Sequence, residues 1–329
     1  MDINRLPKTE LHLHLDSSLS FDAVRKLDPS ISNQQFFDTF VAPAKCTDLK
    51  DYLRRVEKQV DQLQTKYSLK LAAEGLIQML EEDNVIYAEI RFAPLLHTRN
   101  GLQPHSIVET VLESIESADT DMQLNLILCN LRYFSEAQSM ETAALVKEFR
   151  DSPVVGLDLA GDEKGFSLEN HIPAYRFACE NSLHRTAHAG EACGPESVRE
   201  TLEKLHPTRI GHGVRSFEDP GLLDHIKEKN IHLEVCPTSN IQTNVYDAFA
   251  DHTVDKLYEN GISLSINTDG RTTSNVSLSQ EYEKLRDTFG WDSDHFLQCN
   301  LNAVEAAFIS DDKKEELKKR IQEEYIEHG

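Results

Sequence analysis

His12 and His14 bracket a leucine near the start of the chain, and His188, His212 and Asp269 each close a short apolar run far downstream. Successive residues of an extended strand point to opposite faces, so the two imidazoles of a His-x-His pair share one face with their Cα atoms about 7 Å apart, close enough to hold one ion. Taken alone, that pair reads equally well as structural. Joined by His188 and Asp269 it offers three neutral nitrogens and one carboxylate. That donor set suits one Zn2+ with a position left for water better than it suits Ca2+ or Mg2+, which prefer oxygen ligands; cobalt and iron are accepted by the same groups. Glu191 follows His188 in His-Ala-Gly-Glu. A carboxyl beside metal-activated water can exchange protons with a substrate when burial raises its pKa; the plain alternative is a solvated loop glutamate. His212 sits between Gly211 and Gly213, which allow close backbone approach to a ligand. It reads as a group that orients water or stabilises oxyanion charge, or as a satisfied core histidine.

These residues need a scaffold that brings distant strand ends together. Eight short apolar segments read as buried strands, at 10–15, 85–92, 123–131, 154–159, 185–188, 209–213, 231–236 and 262–268, with amphipathic stretches between them at 69–82, 140–150, 195–205 and 220–229. Strands alternating with helices predict parallel pairing through right-handed crossovers, and eight of them predict closure into a (β/α)8 TIM barrel. An open doubly wound sheet is the alternative, but no Gly-x-Gly-x-x-Gly follows the first strand. Alternation places His12, His14 and Asp16 opposite Leu11, Leu13 and Leu15, and Tyr87, Glu89 and Arg91 opposite Ile86, Ala88 and Ile90. If the apolar faces meet the outer helices, the polar faces line the barrel, where they must pair or bind a metal.

The whole chain, 1–329, reads as one domain. An insertion at about 21–65 carries Phe36, Phe37, Phe40, Leu49, Tyr52 and Leu53 at helical spacing, either as a helical lid over the barrel mouth or as the core of an extra hairpin. The segment 311–329 reads as a solvated final helix. With 34 basic and 56 acidic side chains and a formal charge of −22, the chain is a poor partner for nucleic-acid polymers or anionic membranes. Six scattered cysteines form no Cys-x-x-Cys pair, and no run reaches the roughly 20 apolar residues of a membrane span. A cytoplasmic protein is expected.

The chain resembles the adenosine deaminase family of zinc aminohydrolases. The resemblance lies in TELHLHLD (9–16), YAEIRFAP (87–94), DLAGDE (158–163), HAGE (188–191), RIGHG (209–213), EVCPTSN (234–240) and NTD (267–269), in that order. It implies a zinc ion held by His12, His14, His188 and Asp269, with Glu191 donating a proton to purine N1 while His212 orients the attacking hydroxide at C6. It also implies that the Gly161 backbone faces purine N3 and that Asp16 and His14 lie near the ribose hydroxyls. The implied reaction converts adenosine or 2'-deoxyadenosine to the inosine product and ammonia, in purine salvage, on a small-molecule nucleoside. Two positions depart from the family pattern. Gly270 stands where an acidic residue or asparagine usually meets N7, and Ser17 stands where a glycine is usual. Ser17, Arg271 or an ordered water is expected to compensate. The alternative substrates are another 6-substituted purine, adenine or a nucleotide; a silent binding barrel and a hydrolase of esters or phosphotriesters are the remaining readings.

Overall fold

The computed structural model describes residues 1–329. Eight parallel strands follow one another around a single sheet in sequence order: β1 (Lys8–His14), β2 (Val85–Phe92), β3 (Gln123–Leu131), β4 (Val154–Ala160), β5 (His184–Ala189), β6 (Arg209–His212), β7 (His232–Val235) and β8 (Leu264–Ile266). The sheet closes on itself just past β8. Leu13 bridges Asp269 in parallel, the His14 N–H donates to the Asp269 carbonyl at 2.7 Å, and the Asp269 N–H donates to the His12 carbonyl at 3.0 Å. The expected TIM barrel is the observed one.

β2 and β3 have the expected bounds, whereas β8 stops three residues before Asp269. The cause is a side chain. Asn267 Oδ1 accepts the N–H groups of Leu11 at 2.8 Å and His12 at 3.1 Å, taking the place of a ladder carbonyl. The chain then leaves the sheet, and Asp269 adopts φ +64° in the left-handed region.

Alternation holds inside the barrel. Leu11, Leu13, Ile86, Ala88 and Ile90 join the apolar core, while Arg91 pairs with Asp158 at 3.1 Å and Glu234 at 2.7 Å. Arg209 pairs with Glu89 at 2.5 Å and Glu234 at 2.7 Å. These groups are fully buried. Charges removed from water at such cost persist where each has an opposite partner.

The insertion folds as α1 (Phe21–Leu27), α2 (Asn33–Phe40) and α3 (Leu49–Gln62). Phe36 and Phe40 are buried in the main core, where Phe36 packs edge-on against Phe21, while Phe37 is exposed, so two of the three α2 aromatics are core residues of a helical hairpin. Tyr52 and Leu49 of α3 belong to a separate small apolar cluster with Ala42 and Cys46. The final helix, Asp311–His328, is not solvated all round: Leu317, Ile321 and Tyr325 recur every fourth residue and are buried, and the Tyr325 hydroxyl accepts from Asn300 at 2.9 Å. No helix is long and apolar enough to cross a membrane.

One buried group gives the fold an acid limit. His97, fully buried, donates from Nδ1 to the Leu63 carbonyl at 2.8 Å, and burial holds its pKa down at about 4 against the ordinary 6.5. Below pH 6.5 the unfolded chain takes up a proton that the folded chain refuses. The stability present above pH 6.5 is therefore lost as pH falls toward 4, by about 3 kcal/mol for this group. Urea unfolding of wild type and His97→Asn between pH 7 and 4.5 should show the shallower decline in the variant; equal declines would remove His97 as the cause.

Candidate active site

The strand ends bring His12, His14, His188 and Asp269 together at the C-terminal mouth of the barrel. His14 Nε2 lies 3.2 Å from His188 Nε2, and Asp269 Oδ1 lies 3.6 Å from His12 Nε2 and 3.5 Å from His14 Nε2. The outward atoms of three of these groups are engaged. His12 Nδ1 donates to Glu234 at 3.0 Å, His188 Nδ1 donates to Asp158 at 3.2 Å, and the Ser239 hydroxyl donates to Asp269 Oδ2 at 2.6 Å. Those bonds fix the tautomers, so His12 and His188 turn the lone pairs of their Nε2 atoms inward. Burial lowers the pKa of His14 and His188, which favours their neutral rings, whereas the carboxylates of Asp269 and Glu234 raise that of His12 in spite of its burial, so the cluster draws positive charge. His12 Nε2 is buried without any hydrogen-bond partner. Facing ring nitrogens and a carboxylate, desolvated and with His12 Nε2 left unpartnered, call for a cation among them, so this donor set fits a divalent metal.

Gly211 makes the cluster possible. A Cβ there would lie 2.8 Å from the His12 ring and 3.2 Å from that of His188, so its missing side chain is the room those imidazoles occupy.

Glu191 and His212 stand beside the cluster. Both are buried, with His212 Nε2 3.6 Å from Glu191 Oε2, and Glu191, His212 and Asp269 present atoms within 4.8 Å of one another. Burial, reinforced by the charges of Asp269 and Glu163, pushes the Glu191 carboxyl well above its ordinary range, and burial pushes His212 well below its own. Both shifts favour the uncharged forms, a carboxylic acid beside a neutral imidazole. His212 has φ +62°, a costly conformation for a side-chain-bearing residue and one that clusters at functional sites.

The loop carrying Glu191 is held by Glu163, whose carboxylate accepts the N–H groups of Gly190 at 2.7 Å, Glu191 at 3.1 Å, Ala192 at 2.6 Å and Cys193 at 2.9 Å, and the Ser197 hydroxyl at 2.5 Å. Glu163, Asp158 and Glu234 are positioning groups that the residue pattern did not single out. Carrying the alternation through β4 and β7 would have placed Asp158 and Glu234 inside the barrel. No local signal marks Glu163.

His14, Asp16, Ser17, Gly161, His188, Glu191, His212 and Asp269 all line a cavity of about 270 Å3, the scale of a small-molecule site. Burial raises Asp16 to about 6. Gly161 has φ +95°, which explains its identity. Tyr52, Leu53 and Val56 of α3 form part of the wall.

Gly270 does not line this cavity. A Cβ at 270 would collide with the Ser17 hydroxyl and lie 2.8 Å from Ser17 Cβ. Ser17 therefore fills the space that a side chain at 270 would take. Arg271 cannot compensate at the substrate, because its guanidinium is buried against Glu10 at 2.7 Å and Asp83 at 2.9 Å. Gly270→Ala should lose about 1–3 kcal/mol by overpacking. Ser17→Gly/Gly270→Ala should recover most of that in thermal denaturation, and a double variant as unstable as the single one would show that the two positions do not share a slot.

A closed parallel barrel with a cluster of groups able to hold a metal and a buried acid at its C-terminal mouth has the architecture of a metal-dependent barrel hydrolase. The family model described as adenosine deaminase matches residues 7–324. Adenosine deaminase of Clostridium perfringens (strain 13 / Type A) is 37% identical over 331 residues, covering 98% of this chain and 99% of its own. The Enterococcus faecalis adenosine deaminase is 36% identical and covers 98% of both chains. Among solved structures, the adenine deaminase of Arthrobacter aurescens superposes with a TM-score of 0.89 at 25% identity, over 97% of this chain and 98% of that one. The N6-methyl-AMP deaminase of Arabidopsis thaliana gives 0.85 at 26%, over 99% of each. The chain belongs to the adenosine deaminase family and is a hydrolytic aminohydrolase.

Proposed function

We propose that this enzyme hydrolyses the 6-amino group of adenosine and 2'-deoxyadenosine, releasing ammonia and the inosine product, in purine salvage. The observation that carries the reading is Glu191: a buried carboxyl, whose protonated form burial favours, set beside His212 and Asp269 on the cavity wall. His12, His14, His188 and Asp269 are the proposed ligands of one Zn2+. When bound, that ion supplies a Lewis acid able to bring the pKa of water from 15.7 to about 7. Glu191 holds the proton that ring N1 receives, which makes C6 electrophilic. His212 faces the reacting oxygen. The Gly161 backbone meets N3, Asp16 and His14 meet the ribose hydroxyls, and Ser17, in the space next to Gly270, adds a hydroxyl to the same wall.

Relatives named adenosine deaminase support the substrate. The structural likeness to adenine and N6-methyl-AMP deaminases keeps other 6-substituted purines as a second reading. Charge favours a nucleoside over a nucleotide. Glu57 and Asp61 line the cavity with Asp16 and Asp269 against Lys58 and Arg99, and Arg99 is already paired with Asp61. An anionic phosphate gains little from such a wall. In this reading α3 acts as a lid over a single catalytic domain spanning 1–329, and six free thiols suit a cytoplasmic setting.

Adenosine turnover, followed by the ultraviolet change on formation of inosine, tests the proposal. Metal-replete protein should convert adenosine quickly, chelator-treated protein should lose at least about 90% of the rate, and zinc should restore it. Protein holding stoichiometric zinc that ignores adenosine would overturn the substrate and make the purine panel decisive.

A further inference from the structure

His212 ends a chain of hydrogen bonds whose direction is set outside the cavity. The Val254 backbone N–H donates to His252 Nδ1 at 3.0 Å. A backbone N–H only donates, so this nitrogen accepts. His252 is buried and burial holds its pKa at about 3, so the ring is neutral and carries its single proton on Nε2. That proton goes to Asn240 Oδ1 at 3.1 Å. The orientation of the Asn240 amide, otherwise ambiguous, is thereby fixed with its NH2 toward His212, and Nδ2 donates to His212 Nδ1 at 3.1 Å. An imidazole that accepts at Nδ1 and is neutral keeps its proton on Nε2. His212 Nε2 is buried without a hydrogen-bond partner, 3.6 Å from Glu191 Oε2 on the cavity wall.

We propose that His252 and Asn240 are positioning residues that hold His212 in its Nε2–H tautomer, so that it meets the reacting oxygen as a hydrogen-bond donor. This rests on the deaminase reading for its substrate, while the tautomer itself is a property of the chain. Direction decides what His212 can do. An N–H aimed at the cavity stabilises negative charge gathering on oxygen as the tetrahedral centre forms, whereas a lone pair at the same place repels that charge. Asn240 suits the task because its amide carries a donor at one end and an acceptor at the other. Tyr246 and Phe249 rings at 4.8 and 6.3 Å pack against His252 and hold the far end of the relay still.

The test exchanges the direction with little change in shape. In Asn240→Asp the side chain only accepts, so His212 must protonate Nδ1 to satisfy it. Long-range 1H–15N correlation spectra of metal-loaded protein without substrate should show His212 protonated on Nε2 in wild type and on Nδ1 in the variant. With adenosine, kcat should fall at least about a hundredfold with KM within a few-fold of wild type. His252→Leu removes the donor that orients Asn240 and should lower kcat, while His252→Gln, which keeps a donor, should restore most of that loss. This pair carries the test if Asn240→Asp fails to fold. A wild-type His212 protonated on Nδ1, an Asn240→Asp protein that retains Nε2–H or wild-type kcat, or equal kcat in the two His252 variants would each overturn the inference. Wild type with the Nε2–H tautomer but no adenosine turnover would instead overturn the substrate reading.

Discussion

Glu191→Gln is expected to fold, to bind one metal per chain and to lose turnover by about 10²–10⁴-fold, the span that a positioned general acid contributes. The substitution keeps volume and polarity and removes one capacity, that of delivering a proton and taking one back. Its local structure should not change, because the loop is held through backbone N–H groups by Glu163 rather than by the Glu191 side chain. Nor does Glu191 belong to the proposed ligand set, so metal content should stay at wild-type stoichiometry. A residue that acts only as the reaction proceeds lowers kcat and kcat/KM together. Steady-state kinetics with metal analysis on the same preparation therefore separates the possibilities. Full activity would remove Glu191 from the mechanism, and loss of metal along with activity would show that it is a ligand or holds one.

The parts of this site visible in the sequence are those governed by local rules. Alternation along β1 and β2 placed His12, His14, Glu89 and Arg91 inside the barrel because a strand repeats every two residues whatever surrounds it. The strand–helix rhythm gave the barrel, and barrel closure gave the convergence of His188 and Asp269 on His12 and His14. What was not legible depends on partners distant in the chain. Asn267 ends β8 early only because the backbone of β1 lies beside it. Arg271, next but one to Asp269, turns away because its guanidinium is paired with Glu10 and Asp83. Phe36 and Phe40 of α2 pack into the core while α3 meets the cavity, a division of labour that similar helical periodicities could not express. Gly270 is the clearest case. Read along the chain it is a missing side chain, and read in space it is the complement of Ser17, 253 positions earlier.

Glu234→Gln should reach both the fold and the metal. The Glu234 carboxylate, fully buried, accepts from Arg91 at 2.7 Å, His12 Nδ1 at 3.0 Å and the Thr186 hydroxyl at 3.2 Å, and forms an ion pair with Arg209 at 2.7 Å. The two guanidiniums hold its pKa well below the ordinary carboxylate range in spite of burial. An amide in its place removes the charge between two buried cations and turns donor hydrogens toward donors. Breaking a buried pair in this way costs about 3–5 kcal/mol, a large share of the roughly 5–15 kcal/mol that holds a domain together. His12 also loses the acceptor that fixes its Nδ1–H and its inward lone pair, so metal affinity should fall about 10–100-fold, as it does when such outer partners are removed. Glu89→Gln separates the two effects. Glu89 pairs with Arg209 at 2.5 Å and has no contact with His12 among its hydrogen bonds. It should therefore lower thermal stability with metal affinity unchanged. Chelator competition and thermal denaturation on the two variants decide the matter: equal metal affinity in both would show that Glu234 supports the barrel alone, and a Glu234→Gln protein as stable as wild type would show that Asp158 and Glu89 suffice to hold Arg91 and Arg209.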